Sequence, residues 1–380
     1  TLATAAPAQM PHFAIDDASA YVRQMMDEGS VLLKNENDAL PIKRGESIAL
    51  FGEAQINAYD GSLSTLTPQR GYIPFGAGSS KAYADGVLTA PLDALRKRQE
   101  VGELSIYEPL SIAYEQNPDY VPDAEMIANA AAGAGTAVVF LRRWVGECRD
   151  MAAADWNLSS KETELLRAVS ASFDKVIVML NTGGPIDTSW AQGEVDGIRV
   201  DALLFIGYGG MNGGYAVSDI LTGRANPSGK LSTTFAKSLA DYPSHGNFGG
   251  VTVNYVEDIY LGYRHFDTFA PDRVRYGFGF GLSYTDFEYS DLVITDDNGI
   301  KASFKVKNVG DVFGTEIAQL YISDPISTVP KPIKELRKFQ KIELQPGEEK
   351  VVTLDIEERD LAYYNVSLHR YVAEDGRYDV

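Results

Sequence analysis

The chain is poor in the residues that build covalent and metal staples. Its 380 residues hold one cysteine, Cys148, and four scattered histidines, His12, His245, His265 and His369. A single cysteine excludes an intrachain disulfide, and no zinc-type or HExxH spacing occurs, so no metal and no cofactor is expected. Ser47 to Gly52 reads as a buried strand ending in glycine, but neither GxGxxG nor GxxxxGK[ST] follows, which rejects a nucleotide site. No apolar run is long enough to span a bilayer, and no signal peptide is visible. Positive charge is scarce: 34 Lys and Arg against 53 Asp and Glu give a net charge of −19. That balance argues against nucleic acid or an anionic membrane as a partner. A homo-oligomer is left open, and so is the location, with the cytoplasm slightly preferred.

What is present is an ordinary globular composition, 44% hydrophobic and 23% charged, in a chain long enough for two domains. The stretch that organises it is Ala137 to Trp156. Ala137 to Leu141 is a β-branched apolar run without alternation, the mark of a strand buried on both faces. Arg142, Arg143, Trp144, Glu147, Arg149 and Asp150 then crowd into a short loop. Ligands of open parallel sheets sit beyond the carboxyl ends of strands, which makes Glu147 a candidate for chemistry. The plainer alternative is a solvated loop with surface ion pairs.

Residues 1–14 read as a tail or linker. A helix is expected from Asp16 or Asp17 to Glu28, with Tyr21, Val22, Met25 and Met26 on its apolar face. Val31–Asn35, Ser47–Gly52, Lys175–Asn181 and Asp201–Phe205 read as strands, and Thr89–Lys97, Asp123–Ala132 and Gly213–Leu221 as helices. Ser159 and Glu162 form a capping-box pattern that opens another helix to Ser172. Tyr59 to Ser80, rich in Gly, Ser, Thr and Pro, reads as a flexible loop, functional or merely mobile. The alternation of strands and helices implies an α/β fold over residues 15–235, layered around a largely parallel sheet. From Tyr284 the pattern changes to short alternating strands, Tyr284–Leu292, Ile300–Asn308, Thr315–Ser323, Phe339–Leu344 and Lys350–Ile356, the signature of an all-β sandwich over 284–380. Residues 236–283 form a connector whose Gly, Tyr and Phe content suits packing between domains.

Several segments together resemble glycoside hydrolase family 3, the β-glucosidase and β-xylosidase family. They include GSVLLKNENDALPI from Gly29, LNTGGPIDTSW from Leu180, ALLFIGYGGMNGGYAVSDILTGRANPSGKLSTTF from Ala202, EDIYLGYRHFDT from Glu257 and YGFGFGLSYTDFEYSDL from Tyr276. The NVGDVFGTEIAQLYISDP and KELRKFQKIELQPGE segments resemble the family's fibronectin type III-like domain. The resemblance implies two of the family's three parts, an α/β sandwich and a fibronectin-like sandwich. No segment fits the (β/α)8 barrel with its catalytic aspartate, and Asp155-Trp156 lacks the context of that nucleophile. The family often reads R-x-x-G-E-x-x-D-R, and Arg143-Trp144-Val145-Gly146-Glu147 matches, which gives Glu147 the general acid/base role. Asp150 is kept, but Met151 stands where the last Arg would be, and Met211-Asn212 stands where Gln-Glu is common.

The resemblance thus implies part of an exo-acting retaining β-glycosidase. Glu147 would protonate the leaving oxygen, Arg143, Trp144 and Asp150 would touch a carbohydrate substrate, and a barrel in the same or a companion polypeptide would supply the nucleophile. The competing reading is a non-catalytic carbohydrate-binding or scaffold module. The end at Val380, within the last sandwich strand, and the Gly76–Ser80 loop favour an order in which the barrel follows this segment.

Overall fold

The computed structural model describes residues 15–58, 70–76, 88–145, 151–247, 251–297 and 299–380. In chain order the elements are α1 (Ile15–Gly29), β1 (Val31–Asn35), β2 (Ser47–Phe51), β3 (Asn57–Ala58), β4 (Arg70–Gly71), α2 (Pro91–Glu100), β5 (Ser105–Ile106), α3 (Glu108–Gln116), α4 (Ala124–Gly133) and β6 (Thr136–Arg143). They continue with α5 (Ala153–Trp156), α6 (Ser160–Ser172), β7 (Lys175–Thr182), β8 (Ala202–Phe205), α7 (Gly213–Leu221), β9 (Phe235–Ala236), α8 (Tyr263–Phe269) and β10 (Val274–Tyr276). The last described strands of regular length are β11 (Phe287–Thr295), β12 (Ile300–Asn308), β13 (Gly314–Ile322), β14 (Glu335–Leu344) and β15 (Glu349–Ile356).

The main sheet has the order β1-β8-β7-β6-β2-β5 and is parallel except for the edge strand β1, which runs antiparallel to β8. Its central strands are apolar at consecutive positions because both faces are covered: Val138, Val139, Ile177 and Val178 are fully buried. One helix group, α1, α2 and α7, packs together, and α4 packs on α6. Helix starts follow local chemistry. Ser159 N–H donates to Glu162 Oε2 at 2.8 Å and Glu162 N–H to Ser159 Oγ at 3.3 Å, the expected capping box, while Asp123 caps α4 through Met126 N–H. The second core lies between the sheets β11-β12-β15 and β13-β14 and is built on Val306, Ala318, Leu344 and Val352. This is the layered α/β sandwich followed by an all-β sandwich.

Three expectations are corrected. Of the apolar face expected for α1 only Met26 turns inward, beside Gly209, while Tyr21, Val22 and Met25 are exposed; the helix presents Arg23 to α7, where it pairs with Asp219. Between Tyr59 and Ser80 only residues 70–76 are described, and these are not a mobile surface loop; Tyr72 and Ile73 are fully buried, and β4 pairs with β3. The connector is apolar on two terms. Its later part packs on the sandwich: Tyr263 stacks on Phe278 (centroids 4.5 Å apart), and Leu336 N–H donates to Tyr263 Oη at 2.8 Å. Its earlier part does not: Val251, Val253, Tyr255, Val256 and Leu261 are exposed.

Candidate active site

The carboxyl ends of β2, β6, β7 and β8 form a polar rim. β6 runs two residues beyond its apolar run, so Arg142 and Arg143 still lie in the strand, paired with Asn181 and Thr182 of β7. Neighbouring side chains of a strand point to opposite faces, and the two arginines part accordingly. Arg143 turns toward α6. All five of its N–H donors are engaged: Nε to Asp155 C=O (2.8 Å), Nη1 to Arg142 C=O (2.7 Å) and Glu162 Oε1 (2.7 Å), Nη2 to Asn157 C=O (2.9 Å) and Glu162 Oε2 (2.9 Å). The capping carboxylate of α6 is thereby also the counter-ion of the strand end.

Arg142 turns the other way and donates from Nε to Glu53 Oε1 at 2.8 Å. Burial lowers its pKa from the usual guanidinium value, and the Glu53 carboxylate works against that shift. Glu53 also accepts from Arg70 Nε at 3.0 Å and Gly71 N–H at 3.3 Å, and Arg70 reaches Asp119 at 2.5 Å. Gly52 delivers Glu53 to this place. Its φ is +89°, and a Cβ there would lie 2.2 Å from the Phe140 carbonyl oxygen, so no side chain fits.

The backbone that leads out of β6 is clamped from the β8 side. Tyr208 Oη accepts from Val145 N–H at 2.6 Å and donates to Arg143 C=O at 3.1 Å. Burial raises the Tyr208 pKa, which keeps the phenol protonated and able to donate. The ring passes over Gly183, where a Cβ would come within 2.5 Å of it. Trp144, half-buried, faces an open cleft of about 450 Å³ with Glu53, Asp119, Tyr120, Arg142 and Lys161 on its walls.

Of the residues singled out in the sequence, Arg143 and Trp144 stand together at this strand end. Glu147 and Asp150 lie outside the described residues. Sequence reasoning missed Glu53, Asn181 and Tyr208. Each carried a weak signal, a polar or glycine-flanked residue at or shortly after the carboxyl end of a buried strand. Among the described residues no cluster of His, Cys, Asp or Glu could hold a metal ion, and no helix is long and apolar enough to cross a membrane.

Residues 30–284 match the glycosyl hydrolase family 3 C-terminal domain, and residues 316–380 match a fibronectin type III-like domain. The chain belongs to glycosyl hydrolase family 3. Among curated relatives it is 36% identical to a β-glucosidase of Ruminococcus albus, over 92% of this chain and 38% of that protein. It is 35% identical to the thermostable β-glucosidase B of Acetivibrio thermocellus, over 94% of this chain and 45% of that protein. Among solved structures, a β-glucosidase of Paenibacillus barengoltzii superposes with a TM-score of 0.86 at 35% identity, covering 96% of this chain and 42% of that one. β-Glucosidase 3B of Thermotoga neapolitana, solved in complex with glucose, gives 0.83 at 34% identity and covers 96% and 52%. The family 3 chain described here thus spans about half or less of the length of these relatives.

Proposed function

We propose that this chain is the acid/base-bearing part of an exo-acting retaining β-glycosidase of the β-glucosidase kind. The observation that carries the reading is the doubly clamped exit of β6. Arg143 fixes it through Glu162, Tyr208 fixes it through Val145, and Glu147 follows two residues later in the family-like RWVGE segment. A general acid gains most when its backbone is held in place before substrate arrives. The names of the relatives, β-glucosidases at 35–36% identity, support the reaction class.

In this reading Glu147 protonates the glycosidic oxygen and later takes a proton from water, while a carboxylate on a companion (β/α)8 barrel attacks the anomeric carbon. An acid of this kind needs a raised pKa. Arg143 does not oppose that, since its charge is matched by Glu162. Its contribution is to position the loop. Trp144 and Asp150 are the residues proposed to touch the sugar. The exposed apolar run of Val251, Val253, Tyr255, Val256 and Leu261 supports a companion domain that covers it. The domain limits that go with this reading are 15–235, 236–283 and 284–380.

The test is Glu147→Gln in the polypeptide or complex that includes the barrel. Aryl glycosides with good leaving groups should still form the glycosyl-enzyme. Unactivated disaccharides should lose turnover by ~10²–10⁴-fold, and azide should restore breakdown of the trapped intermediate. Equal, small losses on both substrate classes without azide rescue would remove Glu147 from the mechanism. Turnover of aryl β-glucosides by the 380-residue chain alone would overturn the assignment of the nucleophile to another domain.

A further inference from the structure

The main sheet reverses its winding between β2 and β6. Along the chain its parallel strands come in the order β2, β5, β6, β7, β8, yet β5 lies on one side of β2 and the other three lie on the opposite side. The segments that leave the two neighbours part accordingly. β2 leads towards α2, which packs on α7, and β6 leads towards α6, which packs on α4. Chains that diverge from adjacent strand ends leave a crevice beyond them, and in open α/β sheets ligands bind in that crevice. Here it is the cleft of about 450 Å³ that Trp144 faces: Gly52 and Glu53 enter it from the end of β2, and Phe140 to Trp144 from the end of β6. Small-ligand sites commonly span ~300–1,000 Å³.

The lining decides the kind of ligand. Among the described residues four carboxylates and three cations line the cleft, and both guanidiniums are already matched, Arg142 by Glu53 at 2.8 Å and Arg143 by Glu162 at 2.7 Å. A phosphate would therefore meet a wall of net negative charge. A neutral guest meets no such penalty, and carboxylates such as Glu53 and Asp119 still accept from hydroxyl groups. Two aromatic rings complete the wall. Tyr120 is held edge-on against the buried Tyr114, with centroids 5.5 Å apart, and Trp144 sits between the clamped residues Arg143 and Val145. Both rings are half-buried before any ligand arrives, which lowers the cost of ordering them. A neutral molecule with a rim of hydroxyls and an apolar C–H face that packs on aromatic rings is a pyranose sugar.

We propose that the crevice between β2 and β6 is a binding site for a neutral pyranose saccharide, built by this chain without help from a companion domain. The site goes beyond the acid/base reading. It shares Trp144 with that reading, but binding in the crevice needs neither Glu147 nor a nucleophile. Tyr120 and Trp144 supply the stacking faces, and Glu53 and Asp119 accept from the hydroxyls.

The 380-residue chain carries its own reporter. Of its three tryptophans, Trp156 and Trp190 are buried, and Trp144 is half-buried at the cleft. Acrylamide should therefore quench mainly the fluorescence of Trp144. Millimolar cellobiose should shield that ring saturably, and inorganic phosphate at matched ionic strength should not. Tyr120→Ala should weaken the binding by ~3–10-fold, the worth of one aromatic contact, with its melting temperature read alongside. Trp144→Ala supplies a second variant: saturation transfer from the protein to the cellobiose signals in NMR, present with the parent, should be lost. Three results would overturn the proposal: quenching that cellobiose leaves unchanged, sugar binding that persists undiminished in both variants, or shielding by phosphate in place of cellobiose, which would assign the crevice to an anion. None of them bears on the Glu147→Gln test, which is read as turnover.

Discussion

Asn181 pairs with Ile73 as a neighbouring strand would. Its Oδ1 accepts from Ile73 N–H at 2.7 Å and its Nδ2 donates to Ile73 C=O at 2.9 Å, both buried, and Nδ2 also donates to the part-buried Gly207 C=O at 2.8 Å. One side chain thus joins the end of β7, the segment after β4 and the turn after β8. Asn181→Ala deprives the buried Ile73 N–H and C=O and the part-buried Gly207 C=O of this partner. Unsatisfied groups cost about 1–3 kcal/mol each before relaxation, so a loss of roughly 3 kcal/mol is expected in urea unfolding. Asn181→Asp should be worse at pH 8 than at pH 4, since a carboxylate cannot donate to two carbonyl oxygens and a protonated acid can donate to one.

Tyr208 gives a second, milder test of the rim. Tyr208→Phe keeps the ring over Gly183 but deprives Val145 N–H of its acceptor, and a loss of about 1–2 kcal/mol is expected. In the polypeptide that carries the barrel, turnover of unactivated disaccharides should fall more than turnover of aryl glycosides. A purely structural phenol would lower both together.

Asp27 predicts a pH dependence. Burial, with the nearby Asp219 carboxylate adding to it, raises its pKa to about 7, and its Oδ1 has no hydrogen-bond partner among the described residues. The unfolded chain would titrate this group near ~3.9. Between the two values the unfolded state loses its proton first, so this group's contribution falls as pH rises from ~4 to ~7 and stays lowered above that. Asp27→Asn should therefore match the parent at pH 4 and exceed it at pH 8. Allowing for solvent screening, the gain is on the order of 1 kcal/mol, or ~2 °C in melting temperature.

Phe278 tests the junction. It stacks on Tyr263, whose ring also meets Tyr321 edge-on at 6.1 Å and so reaches β13. Phe278 is only half-buried, so Phe278→Ala should cost less than the ~3–5 kcal/mol of a fully buried ring. A drop of a few degrees in differential scanning calorimetry is expected.

The sequence announced the layers because they rest on local rules. Short β-branched runs such as Val138-Val139 and Ile177-Val178 suit a strand covered on both faces, and Ser159 with Glu162 carries the capping-box pattern of a helix start; the structure shows both. The rim was less legible. Glu53 meets Arg142 across 89 residues of chain, and Tyr208 meets Val145 across 63. Such pairings depend on strand order, which no periodicity encodes. The α1 face misled for a related reason: spacing marks an apolar stripe, but Gly209 and Asp219 of the partner layer decide which side docks.

The junction also decides where the chain can be cut. Leu282 N–H donates to Leu32 C=O at 2.9 Å, closing the outer edge of β1, and the Tyr284 hydroxyl donates to Ile220 C=O at the end of α7. The Gly-rich segment before them looks like a hinge at which two domains would separate. Cleavage there would strip the cover from the outer edge of β1 and leave that edge open to self-pairing. The next two residues belong to the second core, Thr285 through its hydroxyl on Asn308 and Asp286 through its carbonyl, which accepts from Val309 N–H, so the chain passes from one core to the other without a free linker.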